Sequence, residues 1–363
     1  MKRAIARHHD GPVLHLAAVV LVAAACGLTG TLAHAQSEDL VTAAQRGDLP
    51  TVNALLKAGA DVNDAKNTVS GPTTALMEAS SNGHPEVVQA LLAAKADVNA
   101  KRGRNSKDGD TALTLASLNG HLNVVQALLA AKADVNAGSI PALYDAAMAG
   151  DLDMVRALLA AKPDLDWRDP ICGTTALMQA LAPFSFALHH QLTARGSWEV
   201  ARLLVEAGAN VNVTTKTGIT ALMLVAEEGS PRSLAMVQEL LAARADVNGE
   251  WFGGGTAGVN LNPASPSYSR AAGYTALGLA ASTGSVEVVR ALLAKSWVDV
   301  NAKQHGGNTA LTIASAKGRS DVVRLLLAAK ADVSVADNDG KTALMLALEN
   351  EHAEVAKLLR AQK

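Results

Sequence analysis

Aromatic side chains are almost missing from this chain: four Trp, three Tyr and three Phe make up 3% of its 363 residues, although apolar residues reach 49%. A core without large rings has to be built from Ala, Leu, Val and Met, which suits short helices packed closely together. Cysteine is as scarce, with only Cys26 and Cys172. Cys26 lies in a segment read below as a removable leader, so the mature chain is expected to hold no intramolecular disulfide and to rely on packing. Lys and Arg form no block and the formal net charge is −2, which excludes the basic footprint of a nucleic-acid binder.

The spacings of several chemistries are missing too. No Gly-x-Ser-x-Gly elbow occurs, and Cys172 sits in Asp-Pro-Ile-Cys-Gly-Thr-Thr with no histidine near it in sequence, so no catalytic nucleophile is expected. Gly253-Gly254-Gly255-Thr256-Ala257-Gly258 lacks the Lys-Ser/Thr that a phosphate cradle needs, and it reads as a loop. Asp337-Asn338-Asp339-Gly340 has Val335 where a calcium loop needs an oxygen ligand; it reads as a turn closed by an Asx hydrogen bond. His189 and His190 are adjacent, and neighbours on a helix point different ways, so they make no chelating pair. The chain is expected to be no enzyme and to need no cofactor or metal.

What the chain does have is one phrase, repeated. Thr309-Ala310-Leu311 leads to Leu326-Leu327 and Ala331-Asp332-Val333-Ser334, and thirty-three residues later Thr342-Ala343-Leu344 leads to Leu358-Leu359. A period in this range marks stacked supersecondary units, none of which can bury its apolar face alone. Alignment on the Leu-Leu pairs divides the chain into nine units, at about 38–66, 67–102, 103–137, 138–168, 169–215, 216–249, 273–304, 305–336 and 337–363. Within one unit, Thr111 to Ala116 opens a first helix that Asn119-Gly120 closes, glycine taking the left-handed conformation there at no steric cost. Leu122 to Ala131 forms a second helix with Val124, Val125, Leu128 and Leu129 on one face. Ala133-Asp134-Val135-Asn136 is turn chemistry.

These residues resemble the ankyrin repeat, with its Gly-x-Thr-Pro-Leu-His-x-Ala opening, Gly-His break, Val-Val and Leu-Leu second helix, and Gly-Ala-Asp-Val-Asn finger. Gly340-Lys341-Thr342-Ala343-Leu344, Gly83-His84 and Gly59-Ala60-Asp61-Val62-Asn63 are close copies. The resemblance covers about 38–360. It implies an all-α solenoid of about nine helix-turn-helix units with protruding β-hairpin or loop fingers, and a surface that binds another protein. Two departures stand out. Ala follows Thr where the family has Pro, at Ala75, Ala112, Ala221 and Ala310, and Met77, Thr114, Met178, Met223 and Met345 replace the family histidine after Leu. That histidine ties the loops of adjacent repeats together, so the resemblance predicts looser fingers here, held by apolar packing. His84 and His121, which follow helix-ending glycines, match the family's structural histidine.

In the family, partners are met by finger tips and by a variable pair at the end of each first helix. Carried onto this chain, the pairs include Ser81-Asn82, Leu118-Asn119, Glu227-Glu228 and Glu349-Asn350, with Asp110, Tyr274 and Lys341 beside them. Two insertions interrupt the repeats, at 182–196 and 249–273, and insertions in such arrays often lie on the binding side. Trp167, Trp251, Phe252 and Tyr274 fall in fingers or in the second insertion. Aromatics dominate interface energetics, so with Asn82, Asn119, Glu227, Glu228, Asp110 and Lys341 they are the protein-binding candidates. A loop stapling its own Trp251 and Phe252 onto the repeats is the competing account. A second function remains open, in which the aromatic loop around Trp251, beside Trp167, stacks a small ligand or cell-wall glycan.

Residues 1–35 read as an export signal: Lys2, Arg3 and Arg7, then an apolar stretch from Val13 to Leu28, then Ala33-His34-Ala35 before Gln36. The stretch is short for a membrane span and no later segment approaches one. Lipid attachment at Cys26 is the alternative, but Ala23 stands where such signals usually carry Leu. The expected location is the periplasm of a Gram-negative cell.

Overall fold

Most repeats begin with a local hydrogen bond that the sequence can be seen to encode. The threonine of Thr-Ala-Leu is an N-cap: Thr74, Thr111, Thr220, Thr275, Thr309 and Thr342 adopt extended backbone and accept a hydrogen bond from the amide three residues on. Each satisfies an amide that the first helical turn would otherwise leave unpaired. Thr111 with Thr114, and Thr309 with Thr312, close reciprocal capping boxes.

The computed structural model describes residues 39–68, 71–102, 109–181, 197–249 and 274–362, with His305 described by its backbone alone. The chain divides into two compact units, one running to Ala142 and the other from Leu143. In the first, α1 (Leu40–Arg46), α3 (Ala75–Ser81) and α5 (Ala112–Leu118) pack as a row of first helices, and α2 (Leu49–Lys57), α4 (Pro85–Ala93) and α6 (Leu122–Ala130) as a row of second helices. A short antiparallel hairpin joins the first two repeats: β1 (Ala65–Thr68) pairs with β2 (Gly71–Thr74), Ala65 opposite Thr74.

The second unit opens with α7 (Ala142–Ala149), whose first residue lies at the division, and α8 (Leu152–Ala160). Its later first helices are α9 (Ala176–Leu181), α11 (Ala221–Glu228), α13 (Ala276–Thr283), α15 (Ala310–Ala316) and α17 (Ala343–Glu349). The matching second helices are α10 (Trp198–Glu206), α12 (Pro231–Ala242), α14 (Val286–Leu293), α16 (Ser320–Ala328) and α18 (Ala353–Arg360). Helices α9 to α17 pack in sequence as one row, and α8 to α18 as the other. The described residues thus carry the helix pairs of an all-α repeat solenoid, nine in number.

Burial follows the apolar spacing. On α6, Val124, Val125 and Leu128 are buried while Leu129 is half-buried, so the fourth residue of the expected face sits at its edge. Met77, Met178 and Met223, which replace the family histidine, are buried. Each Val or Leu fully removed from water stabilises the fold by about 1.5–3 kcal/mol.

The turn after the second helix needs a left-handed residue. Gly59 and Gly208 supply it in two repeats, whereas Lys95, Lys132, Lys162, Arg244 and Lys330 adopt positive φ in five others. Repeat seven escapes this requirement. An extra residue separates Leu293 from Asp299 compared with the five-residue step from Leu327 to Asp332, and Lys295 keeps an ordinary φ.

Candidate functional site

Fingers can present a constant surface only if their bases are fixed, and the Asp-x-Asn phrase fixes them. Within each finger the first side chain accepts a hydrogen bond from the amide two residues on, as Asp61 does from Asn63 and Asp246 from Asn248. The second side chain then reaches into the following finger. In the first unit, Asn63 Oδ1 accepts from Asp97 N at 2.7 Å and Asn99 Oδ1 from Asp134 N at 2.8 Å. In the second, Asp166, Asn212, Asn248 and Asn301 accept in the same way from Asn210, Asp246, Asp299 and Asp332, each at 2.8 Å. The expectation of looser fingers held by apolar contacts is therefore corrected. A polar ladder of Asx bonds joins neighbouring fingers, and it does not need the missing histidine.

A second set of ties joins the helix ends. His84 Nε2 donates to Gln45 O at 3.0 Å and His121 Nε2 to Ser81 O at 3.1 Å; a carbonyl only accepts, so Nε2 carries the proton. In the second unit His352 donates to Ala316 O and Arg319 Nε to Ser282 O, each at 3.2 Å. A glycine lies under each ring. A Cβ on Gly83 would stand 2.5 Å from His121 Nδ1, and one on Gly47 2.6 Å from His84.

Beside these ties, the last residue of each variable pair faces solvent. Arg46, Asn82 and Asn119 are exposed in the first unit, and Ala149, Glu228, Thr283, Lys317 and Asn350 in the second. Asn82 and Asn119 also close their own helices, donating Nδ2 to Glu78 O and Leu115 O at 2.9 Å. Asp110 accepts from Ser139 Oγ at 3.2 Å. Leu118, beside Asn119, is 48% exposed. Glu227 and Glu228 both reach solvent, and partial desolvation of the Glu227 carboxyl nonetheless raises its pKa above that of a free glutamate. Lys341 forms an ion pair with Glu349 at 2.6 Å, and its amide donates to Asp337 Oδ1 at 2.8 Å, in the Asx turn expected there. Tyr274 is half-exposed at the threshold of α13.

Trp167 is half-buried and sets its ring against Tyr144, with centroids 5.2 Å apart at 76°. Tyr144 is itself buried. Gln179 Nε2 donates to its oxygen at 2.6 Å, and its hydroxyl shares a hydrogen bond with Thr174 Oγ1 at 2.7 Å. Burial, with a contribution from the Asp169 charge, pushes the phenol up to about 12. Trp251 and Phe252 lie outside the described residues, as do Cys26, residues 1–35, residues 182–196 and all but the first residue of 249–273.

Two residues were not legible as candidates. Tyr144 stands where most repeats carry Met or Thr, and nothing in its spacing singled it out. Trp297, 54% exposed with Lys295 Nζ 5.8 Å from its ring centre, is the most exposed Trp among the described residues. It sits in the lengthened turn of repeat seven, and that one-residue irregularity was the signal that could have found it.

Cys172 is half-buried, and its amide donates to the Asp169 carboxylate. Burial first, then the Asp169 charge, raise the thiol pKa. Less thiolate is then present at mildly alkaline pH, and the thiolate is the reactive form. Cys172 is expected to alkylate with iodoacetamide more slowly than free cysteine, and the Asp169→Asn protein to alkylate faster than wild type. Mass spectrometry of timed samples reads both rates; equal rates in the two proteins would remove Asp169 as a cause.

Among the described residues no group of three or more His, Cys, Asp or Glu is placed to hold a metal ion, and no helix is long and apolar enough to cross a membrane. Comparison with the curated proteins gives no match. The family described as Ankyrin repeats (3 copies) matches residues 40–139, 143–250, 188–304, 251–337 and 277–363. Capped first helices, apolar second helices and linked Asp-x-Asn fingers recur through these same segments, and the chain belongs to the ankyrin-repeat family.

Proposed function

We propose that this protein is an exported scaffold that binds another protein through its fingers and first-helix ends, without chemistry of its own. Ankyrin repeats generally mediate protein–protein interaction. The observation that carries the reading is the contrast along each first helix. Ala79, Ala116, Val225, Ala280 and Ala314, each five residues after the capping threonine, are buried and small or β-branched apolar, whereas three residues further on the chain turns outward and varies freely among Asn, Glu, Thr and Lys. Packing explains the first set, and nothing in the packing requires the second. The leader-like 1–35 segment motivates export to the periplasm, where a chain without disulfides depends on its stacked core.

Tyr274 is the anchor to test, because it is half-exposed beside a first helix and has no hydrogen-bond partner among the described residues. Capture from periplasmic extract with the purified protein, followed by mass spectrometry, identifies the partner. Tyr274→Ala is then expected to weaken that complex by about tenfold or more, as truncating an aromatic anchor does, with an unchanged melting curve. Equal affinity in the two proteins would take Tyr274 out of the interface. Recovery of the protein from the cytoplasm with residues 1–35 intact would count against export.

A further inference from the structure

Two neighbouring second helices, α10 and α12, break the repeat pattern at the same end. The step from the helix-ending glycine to the first buried apolar residue of the second helix is four positions from Gly83 to Val87, Gly120 to Val124 and Gly318 to Val322, but seven from Gly229 to Met236. The added residues become helix. Ser230 caps it, accepting from Ser233 N at 3.2 Å, and Pro231 takes the first helical position, where its missing N–H costs nothing. Helix α12 therefore runs for 12 residues against 9 in α6, and its added turn carries Arg232. Beside it, α10 starts on Trp198, whereas the other second helices start on aliphatic residues, Pro or Ser. Packing of the core requires neither departure: Arg232 is exposed, without an ion pair among the described residues, and Trp198 is only half-buried.

The two departures meet at an open cavity of about 240 Å³ between α10 and α12. Trp198 and Met236 give it apolar walls, and Arg202 bonds Glu239 across it at 2.8 Å. That pair neutralises itself. Two charges of opposite sign are left at the cavity, Arg232 from α12 and Glu199 from α10. Glu199 is exposed and accepts only a neutral hydroxyl, Ser197 Oγ at 3.2 Å. None of these residues belongs to a finger or to a first helix.

We propose that this cavity binds a free α-amino acid with an apolar or aromatic side chain. A guanidinium on one wall and a carboxylate on the other complement the carboxylate and ammonium of one small zwitterion. A simple acid or a simple amine would leave one of the two charges unmatched. The indole of Trp198 also attracts an ammonium, and with Met236 it covers an apolar side chain. Sites for drug-sized ligands span roughly 300–1,000 Å³, so this smaller cavity suits a single amino acid.

NMR titration of the purified protein with phenylalanine tests the proposal, read at the Trp198 indole N–H, which the Trp198→Phe protein identifies by its loss. That signal is expected to shift and saturate with Kd below about 1 mM, while those of Trp167 and Trp297 stay. 3-Phenylpropionate, which lacks the ammonium, and phenethylamine, which lacks the carboxylate, should each bind about tenfold more weakly, and glycine should not saturate. Arg232→Gln should weaken phenylalanine about tenfold yet leave phenethylamine unchanged, and Glu199→Gln should do the same with 3-phenylpropionate as the unaffected ligand. Both proteins should keep the wild-type melting curve, since both side chains are exposed. No saturable shift up to about 10 mM, glycine binding as well as phenylalanine, or phenylalanine affinity unchanged in Arg232→Gln would overturn it.

Discussion

Gly83→Ala is expected to lower the unfolding free energy of the first unit by about 2–4 kcal/mol, measured as a fall in the urea midpoint. Two effects add. Gly83 has φ of +72°, where an L side chain costs about 1–2 kcal/mol. The new Cβ would also meet the His121 ring at 2.5 Å, displacing the imidazole that donates to Ser81 O. Gly120 separates the two contributions. Its φ is +74° with nothing within 4 Å of the added Cβ, so Gly120→Ala should lose only the backbone part, about 1–2 kcal/mol. Adding His121→Ala to Gly83→Ala should then cost less than the sum of the single changes, since the two residues touch. Equal losses at Gly83 and Gly120 would mean that the ring makes room at no cost.

Leu128→Ala is the second large effect, expected at about 2–5 kcal/mol because it opens a cavity in a site with 0% exposure. Leu118→Ala, in the same repeat, should stay within about 0.5 kcal/mol, since that side chain is already 48% exposed. Urea unfolding monitored by circular dichroism reads both. A loss at Leu118 comparable with that at Leu128 would show that the exposed leucine is part of the scaffold and not of the surface.

Much of the fold was legible because each of its signals is local. Thr74, Thr111, Thr220 and Thr309 cap helices through an amide three residues away, so the four-residue phrase carries its own geometry. Gly83 and Gly120 end helices through their own dihedral angles. Val124, Val125 and Leu128 share a face because of helical period alone. The candidate surface was legible only by subtraction: residues that packing did not explain were set aside as variable, and those described at the ends of first helices do reach solvent.

What could not be read were the relations between repeats. Met in place of the family histidine suggested loose fingers, yet Asn63, Asn99 and Asn212 reach the following finger at 2.7–2.8 Å. Nothing in one repeat shows that its Asn faces a free amide of the next. Trp167 looked like a free aromatic until Tyr144, 23 positions earlier, was found against it. Leu348 occupies a position that earlier repeats bury, and whether a neighbour covers it is absent from its own letters.

The sequence alone determined the units, their helices, their caps and the residues that face inward, because a cap, a left-handed glycine and an apolar stripe are each decided within a few bonds or one helical turn. Only the tertiary structure decided which polar groups link successive fingers, which glycine lies beneath a histidine and which apolar face stays open. Those depend on contacts between residues 34 to 51 positions apart in the chain, and stacking is what sets them.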